Sequence, residues 1–239
     1  MNETIQLMKK HKTIRKFDTT YEIPSTDFQA ILDATRQAPT WMNGQFYSII
    51  VIRDQAIREQ LVEWSPANPH MNACSELLIF VGDLHRSKVA SKMHHGEFHA
   101  KGVEPLLIAT VDASLAAENT VLAVESLGLG SVVIGMIRPL ADKISELLEL
   151  PDYTVPLFAM SIGKPAQIRE VKPRLPQKAV VHFDKYQETD EETLKEYDEI
   201  LAEFAGKRQQ QTWTEKFEQY FGKDFHHVTE DLLKKNGIL

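Results

Sequence analysis

Cysteine is nearly absent from this sequence: Cys74 is the only one among 239 residues. A single cysteine cannot form a disulfide within the chain, and it cannot supply a cysteine-rich zinc or iron–sulfur site. This composition is typical of a reducing compartment, so we expect a cytoplasmic location.

Long apolar runs and an excess of basic charge are also missing. No run of eighteen apolar residues occurs, and the first twelve residues, MNETIQLMKKHK, contain no apolar segment of the kind found in secretory signals. The formal net charge is −7, whereas nucleic-acid phosphates require a basic face. The sequence therefore predicts neither a membrane segment nor a nucleic-acid partner.

What the sequence does contain is a globular composition, 43% hydrophobic and 26% charged. Apolar spacing predicts helices over 3–10, 24–39, 55–65, 109–127 and 139–151, and strands over 48–54, 76–84, 130–137 and 154–165. The polar segment 85–105 lacks a steady period, which predicts a loop or a loosely packed helix. Gly128 is expected to end the helix over 109–127.

The character of the chain changes after Arg174. The helical segments that follow are strongly charged and have only a narrow apolar stripe, so they cannot form a core of their own. We therefore predict a core over 1–175 and a helical extension over 176–239 that wraps the core or a partner subunit.

Two basic clusters are candidates for anion binding. In HKTIRKF, residues 11–17, His11, Lys12 and Arg15 can face one way and Thr13 adds a hydroxyl, a set that suits a phosphate. In GKPAQIREVKPRLP the cations are Lys164, Arg169, Lys172 and Arg174. The alternatives are a solvated charge run for the first cluster and a surface turn for the second.

Two further segments could present backbone groups to a ligand. The turn in APTWMNGQFYSIIV presents Thr40, Asn43 and Gln45 to a flat polar ligand, although an ordinary helix–strand loop would have the same composition. In GLGSVVIGMIR the glycines follow a helix and precede a strand, the reverse of the dinucleotide-binding fingerprint. Gly135 could let a ligand approach the backbone closely.

Taken together and in this order, these segments resemble the FMN-dependent nitroreductase family. The matching pieces are HKTIRKF, APTWMNGQFYSI, AVESLGLGSVVIGMIR, LPDYTVPLFAMSIGKP and VKPRLP, followed by the helical extension. The chain is most similar to the NADPH-dependent nitro/flavin reductase subgroup, the oxygen-insensitive major nitroreductases and their flavin-reductase relatives, and the resemblance covers nearly its whole length.

The resemblance implies an α+β fold with a mainly antiparallel central sheet, helices on both sides and a helical C-terminal arm. It also implies an intertwined homodimer with FMN at the subunit interface. The positions expected to contact FMN are His11, Lys12, Thr13, Arg15, Thr40, Asn43, Asn68, Ile134, Gly135, Lys172 and Arg174. Of these, His11, Lys12, Thr13 and Arg174 would hold the phosphate and the ribityl end of FMN. Arg15 and Lys172 would face the ribityl chain or the N1–C2=O edge of the ring, where positive charge stabilises reduced flavin.

The implied reaction passes hydride from NADPH through flavin N5 to nitroaromatics, quinones, free flavin or similar small-molecule oxidants, with ping-pong kinetics. No side chain need act as nucleophile or acid, and no metal is implied. Lys207 and Arg208 are the nearest candidates for the NADPH 2′-phosphate. Two alternatives remain open: a non-catalytic FMN-binding or reduced-flavin carrier protein, and a specialised flavin enzyme such as a dehalogenase on the same scaffold.

The sequence departs from the family pattern at the proposed site. Lys12 stands where arginine is usual, which keeps the charge but loses the bidentate fork. Trp41 and Met42 replace a small, serine-rich turn, and Met136 stands where a second glycine is frequent. We expect Trp41 and Met42 either to narrow the pocket or to stack near the flavin ring, and Met136 to tighten the approach to the backbone.

Overall fold

The computed structural model describes residues 2–167, 169–206, 211–223 and 230–239. The chain divides into two compact units, Met1–Arg169 with His227–Leu239, and Glu170–His226. The first unit contains helices α1 (Glu3–Lys9), α2 (Ser25–Arg36), α3 (Gln55–Trp64), α4 (His70–Ala73), α5 (His85–Met93), α6 (Val103–Ser126), α7 (Ala141–Leu147) and α10 (Glu230–Lys235), and strands β1 (Tyr47–Ile52), β2 (Glu76–Asp83), β3 (Gly130–Ile134) and β4 (Thr154–Gly163). The second contains α8 (Glu191–Ala205) and α9 (Trp213–Phe221).

The four strands form one sheet in the order β1-β2-β4-β3, and each neighbouring pair is antiparallel. Successive side chains of a strand point to opposite faces, so Leu78 and Phe80 enter one core and Leu77 and Ile79 the other. Helices α2 and α6 contribute to the first core, α3 and α7 to the second. Because both faces are covered, β2 is apolar at nearly every position. The predicted α+β class with a mainly antiparallel sheet is confirmed.

Helix α6 is the one helix in the described residues that is long and apolar enough, by length and composition, to cross a membrane. Its alanine and valine side chains pack into the first core, against α2 and the sheet. The apolar composition is therefore that of a core helix. The helix ends as predicted, because Gly128 adopts a φ of 71°, which favours glycine.

Part of the segment over 85–105 forms the helix α5, in agreement with one of its two predicted forms; α5 has no buried residue, which explains the missing apolar period. Two element boundaries differ from the prediction. Helix α6 begins at Val103 rather than 109 and takes in Pro105, which the first turn of a helix tolerates. Strand β3 stops at Ile134, and a 3₁₀ turn follows over Gly135–Leu140.

The end of the chain belongs to the first unit. Leu232, Leu233 and Ile238 are buried in the core shared by α2 and α6, and the amide of Tyr153 donates to the carbonyl of Asn236 at 2.8 Å. Because these apolar side chains are buried in its core, the last ten residues belong to the first unit, whereas α8 and α9 belong to the second. On the sequence alone, all of these segments are grouped in one extension over 176–239.

Candidate functional site

The basic segment His11–Phe17 lies along the free edge of β3. The amide of Ile14 donates to the carbonyl of Ser131 at 2.9 Å, and Ile14 and Phe17 are both buried. A Cβ at Gly130 would lie 2.5 Å from Cγ1 of Ile14, so only glycine allows this close approach. The segment is thus fixed to the sheet through its backbone and its two apolar side chains.

A cleft of about 470 Å³ opens beside this segment. Lys12 lines it together with Lys10 and Arg169, and residues 128–130 and Glu125 complete the wall. Three cations around one cleft suit a ligand with several anionic oxygens, because charged donors form the stronger hydrogen bonds. Lys10 was not predicted, and Arg169 was predicted only as part of the second cluster.

His11 is tied to α6. Its Nδ1 lies 2.8 Å from Oε1 of Glu125, and the amide of Lys12 approaches the same oxygen at 3.4 Å. Glu125 is the glutamate of the ESLGLG motif, and its side chain is only 11% exposed. The sequence contains this residue in a family motif but does not indicate that it holds His11.

Arg15 and Asn68 are associated with a buried histidine that the sequence reasoning missed. Asn68 precedes α4, and its Nδ2 donates to Oγ of Ser65 at 2.8 Å. His70, in the first turn of α4, is 3% exposed; its Nδ1 lies 3.2 Å from Oγ of Ser161, and its Nε2 has no partner among the described residues. Burial lowers the pKa of His70, and the positive charge of Arg15 lowers it further. Arg15 therefore lies near the segment that carries Asn68.

The lowered pKa of His70 predicts that stability falls in mild acid. In the unfolded chain His70 takes up a proton as the pH falls through about 6.5, whereas in the folded chain burial opposes this protonation. The loss of unfolding free energy is therefore absent at higher pH and begins as the pH drops through about 6.5. The slope has a ceiling of about 1.4 kcal/mol per pH unit. Denaturant unfolding at pH 7.5 and 5.5 should show a smaller acid loss in His70→Gln than in the unmodified chain.

The control for this measurement is His99→Gln, because His99 is exposed and pairs with Glu97, which is exposed as well. Its acid loss should match that of the unmodified chain. An identical acid loss in His70→Gln and His99→Gln would show that His70 does not resist protonation in the fold.

The turn that carries Thr40 and Asn43 is held by a second residue that the sequence did not reveal. The buried carboxylate of Asp112 on α6 accepts from the amide of Trp41 through Oδ1 and from the amide of Phe46 through Oδ2, both at 3.0 Å. Between these two amides the turn is left-handed at residues 42, 43 and 45. The side chain of Asn43 is exposed and that of Thr40 is half-buried.

The remaining predicted positions lie on other elements of the two units. Ile134 is buried in the second core, so only its backbone could meet a ligand, and Gly135 lies under the guanidinium of Arg138. Lys172 and Arg174 are exposed and belong to the second unit, where Lys172 lines a cleft of about 330 Å³ with Trp213 and Lys216. Lys207 and Arg208 lie outside the described residues. No group of three or more potential metal ligands gathers in the part of the chain that the structure describes.

The first unit fits the phosphate end of a cofactor. Lys12, Lys10 and Arg169 line the cleft, and the backbone of Thr13, next to Lys12, pairs with that of Ser131 on β3. Oγ of Ser131 and Nε2 of His70 are buried without partners among the described residues, but neither residue lines the cleft. The fold and the three cations of the cleft suit a protein that binds a small phosphate-bearing cofactor.

Comparison with known proteins identifies the family. The Nitroreductase family pattern matches residues 8–164, and that of the Nitroreductase family, C-terminal domain, matches residues 172–239. An FMN reductase [NAD(P)H] of Bacillus subtilis is 33% identical over 100% of this chain and 98% of its own. An oxygen-insensitive NADPH nitroreductase of Salmonella typhimurium is 36% identical over 99% and 93%. The chain belongs to the nitroreductase family, and the resemblance to its nitro/flavin reductase subgroup is confirmed.

Solved structures agree with this assignment. The crystal structure of nitroreductase A from Vibrio parahaemolyticus superposes with a TM-score of 0.94 at 33% identity, covering 100% of this chain and 98% of the other. An NADPH:FMN oxidoreductase from Vibrio harveyi complexed with NAD⁺ gives a TM-score of 0.92 at 31% identity, covering 99% of each chain. These neighbours support the predicted nitroreductase-like fold.

Proposed function

We propose that this chain is an NAD(P)H-dependent FMN oxidoreductase of the nitroreductase/flavin reductase type. The observation that carries the proposal is the cationic cleft beside residues 11–17, in a chain whose full-length relatives are named as FMN reductases and NADPH nitroreductases. FMN, when bound, supplies the two-electron exchange between the nicotinamide donor and the oxidant.

The residues of the chain bind and orient the cofactor. Lys12 and Thr13 hold the phosphate, with His11 beside them and with Lys10 and Arg169 adding positive charge at the cleft. Arg15, near the segment of Asn68, provides positive charge at the polar edge of the ring, where negative charge accumulates on reduction. No side chain in this assignment transfers a proton or attacks the substrate.

We further propose that the working unit is a homodimer in which each site takes residues from both chains. Asp112 fixes the turn of Thr40 and Asn43, and Glu125 fixes His11. Thirteen residues of continuous helix separate the two carboxylates, which corresponds to about 20 Å at 1.5 Å per residue. This distance supports a site in which the basic segment of one copy and the Thr40 turn of a second copy meet the same flavin.

An apolar stripe on α6 is the surface that we assign to the second copy. Val103, Leu107, Val111 and Leu115 recur every four residues and are all exposed, and the last three line a groove with the Thr40 turn. An exposed apolar patch next to half of a site suits a subunit interface. The α8–α9 extension embraces the partner in this proposal.

The finer assignments rest on the relatives and on composition. NADPH is the preferred donor, because several relatives are named for it, with Lys207 and Arg208 as candidates for its 2′-phosphate. Nitroaromatics, quinones and free flavin are the oxidants, in a ping-pong cycle, and the cytoplasm is the location.

The visible spectrum of the purified protein tests the proposal. We expect a yellow protein that binds FMN, bleaches on anaerobic addition of NADPH faster than with NADH, and recovers its colour when a nitroaromatic or quinone is added. A protein that stays colourless after mixing with FMN would refute the assignment of the cleft. A yellow protein that neither nucleotide bleaches would instead identify a flavin carrier.

A further inference from the structure

Glu125 raises a problem for an anion-binding site. Its carboxylate lines the cleft together with Lys12, and so places a negative charge beside the position assigned to the FMN phosphate. Its side chain is 11% exposed, and the atoms that approach it are Nδ1 of His11 at 2.8 Å and, more weakly, the amide of Lys12 at 3.4 Å. A nearly buried carboxylate here would repel phosphate unless a neighbouring group compensates for its charge.

The hydrogen bond determines what His11 can offer. A carboxylate only accepts, so Nδ1 carries the proton that it shares with Glu125. Nε2 then has no partner in the described part of the chain and is the ring atom left to meet a ligand. In the neutral ring Nε2 is an acceptor and would repel a phosphate oxygen, whereas in the protonated ring it is a donor.

We propose that Glu125 is a positioning residue for phosphate recognition, which holds Nδ1–H of His11, directs Nε2 towards the phosphate of FMN, and thereby couples FMN binding to proton uptake by His11. The charged groups around His11 are Glu125 from α6, Lys12 beside it and Lys10 at the end of α1. The imidazolium lies between two anions, the carboxylate and the phosphate, and compensates for both. This inference rests on the proposed FMN site.

Riboflavin separates this role from a general structural one, because it has the ring and ribityl chain of FMN without the phosphate. Protein stripped of flavin is titrated calorimetrically with FMN and with riboflavin at about pH 8, where a phosphate monoester is already dianionic and takes up no proton itself. Each titration is repeated in two buffers of different ionisation enthalpy, which reports the protons taken up. The unmodified chain should take up protons with FMN and none with riboflavin.

Two substitutions of Glu125 are compared. Glu125→Ala removes both the acceptor and the charge, so FMN affinity should fall about tenfold or more while riboflavin affinity stays within about twofold. Glu125→Gln keeps an acceptor oxygen for Nδ1–H without the charge, so FMN affinity should fall less and proton uptake should decrease. The control is Glu59→Gln, an exposed glutamate of α3 that lies outside the cleft lining and the α6 stripe, which should change neither quantity.

The inference is overturned if Glu125→Ala binds FMN as tightly as the unmodified chain, or if it loses FMN and riboflavin affinity in equal proportion, as a merely structural role would require. FMN binding by the unmodified chain without proton uptake also overturns it. An unmodified chain that binds no FMN at all refutes the proposed function instead.

Discussion

Replacing Asp112 by alanine should lower the free energy of unfolding by about 2–4 kcal/mol and weaken FMN binding. The carboxylate accepts from the amides of Trp41 and Phe46, each at 3.0 Å, and is 1% exposed. Without it both amides lose their acceptor. The left-handed conformation at residues 42, 43 and 45, unfavourable for side chains with a Cβ, loses the contact that holds it.

Denaturant unfolding and FMN titration measure the two effects. Asp112→Asn keeps the shape and one acceptor oxygen but turns an amide donor towards the second N–H, so its loss should be intermediate. The control is Ser114→Ala, an exposed position of the same helix, which should stay within about 0.5 kcal/mol. If Asp112→Ala were as stable as this control, the turn would not depend on the carboxylate.

Asp112 and Glu125 illustrate what sequence reasoning could not reach. The apolar spacing predicts a helix over 109–127, where α6 is found, because that depends on the period of the helix alone. Which acidic residue of the helix meets a loop amide or a histidine depends on contacts with residues 71 and 114 positions away. In one sequence such a residue cannot be distinguished from a solvated charge.

The basic segment shows the complementary case. Its charge density and its place before the first core helix are visible in the sequence, and in the structure Lys12 lines the cleft. The contact between His11 and Glu125 could not be predicted in this way. It depends on the register of residues 11–17 on β3, which follows from Ile14, Phe17 and Gly130 rather than from the charges. His70 gave no signal, since a lone histidine in PANPHMNA has no motif around it.

The double substitution Val111→Glu with Leu115→Glu should produce a monomer that has lost FMN. In one chain these side chains are 54% and 40% exposed, so the monomer can keep its fold. In the proposed dimer they are buried against a second copy, where unpaired carboxylates cost several kcal/mol. Because the Thr40 turn would come from the partner, loss of the dimer should weaken FMN binding about 100-fold or more.

Sedimentation measures the assembly state and circular dichroism the fold, while fluorescence titration measures FMN affinity. The matched control is Val89→Glu on α5, where an apolar side chain of similar exposure, 45%, lies outside the α6 stripe. This variant should stay dimeric and bind FMN normally. A doubly substituted chain that remains dimeric would exclude the stripe as the interface. A folded monomer that binds FMN as tightly as the unmodified protein would exclude a shared site, because the turn and the basic segment of one chain, about 20 Å apart along α6, would then suffice without the partner.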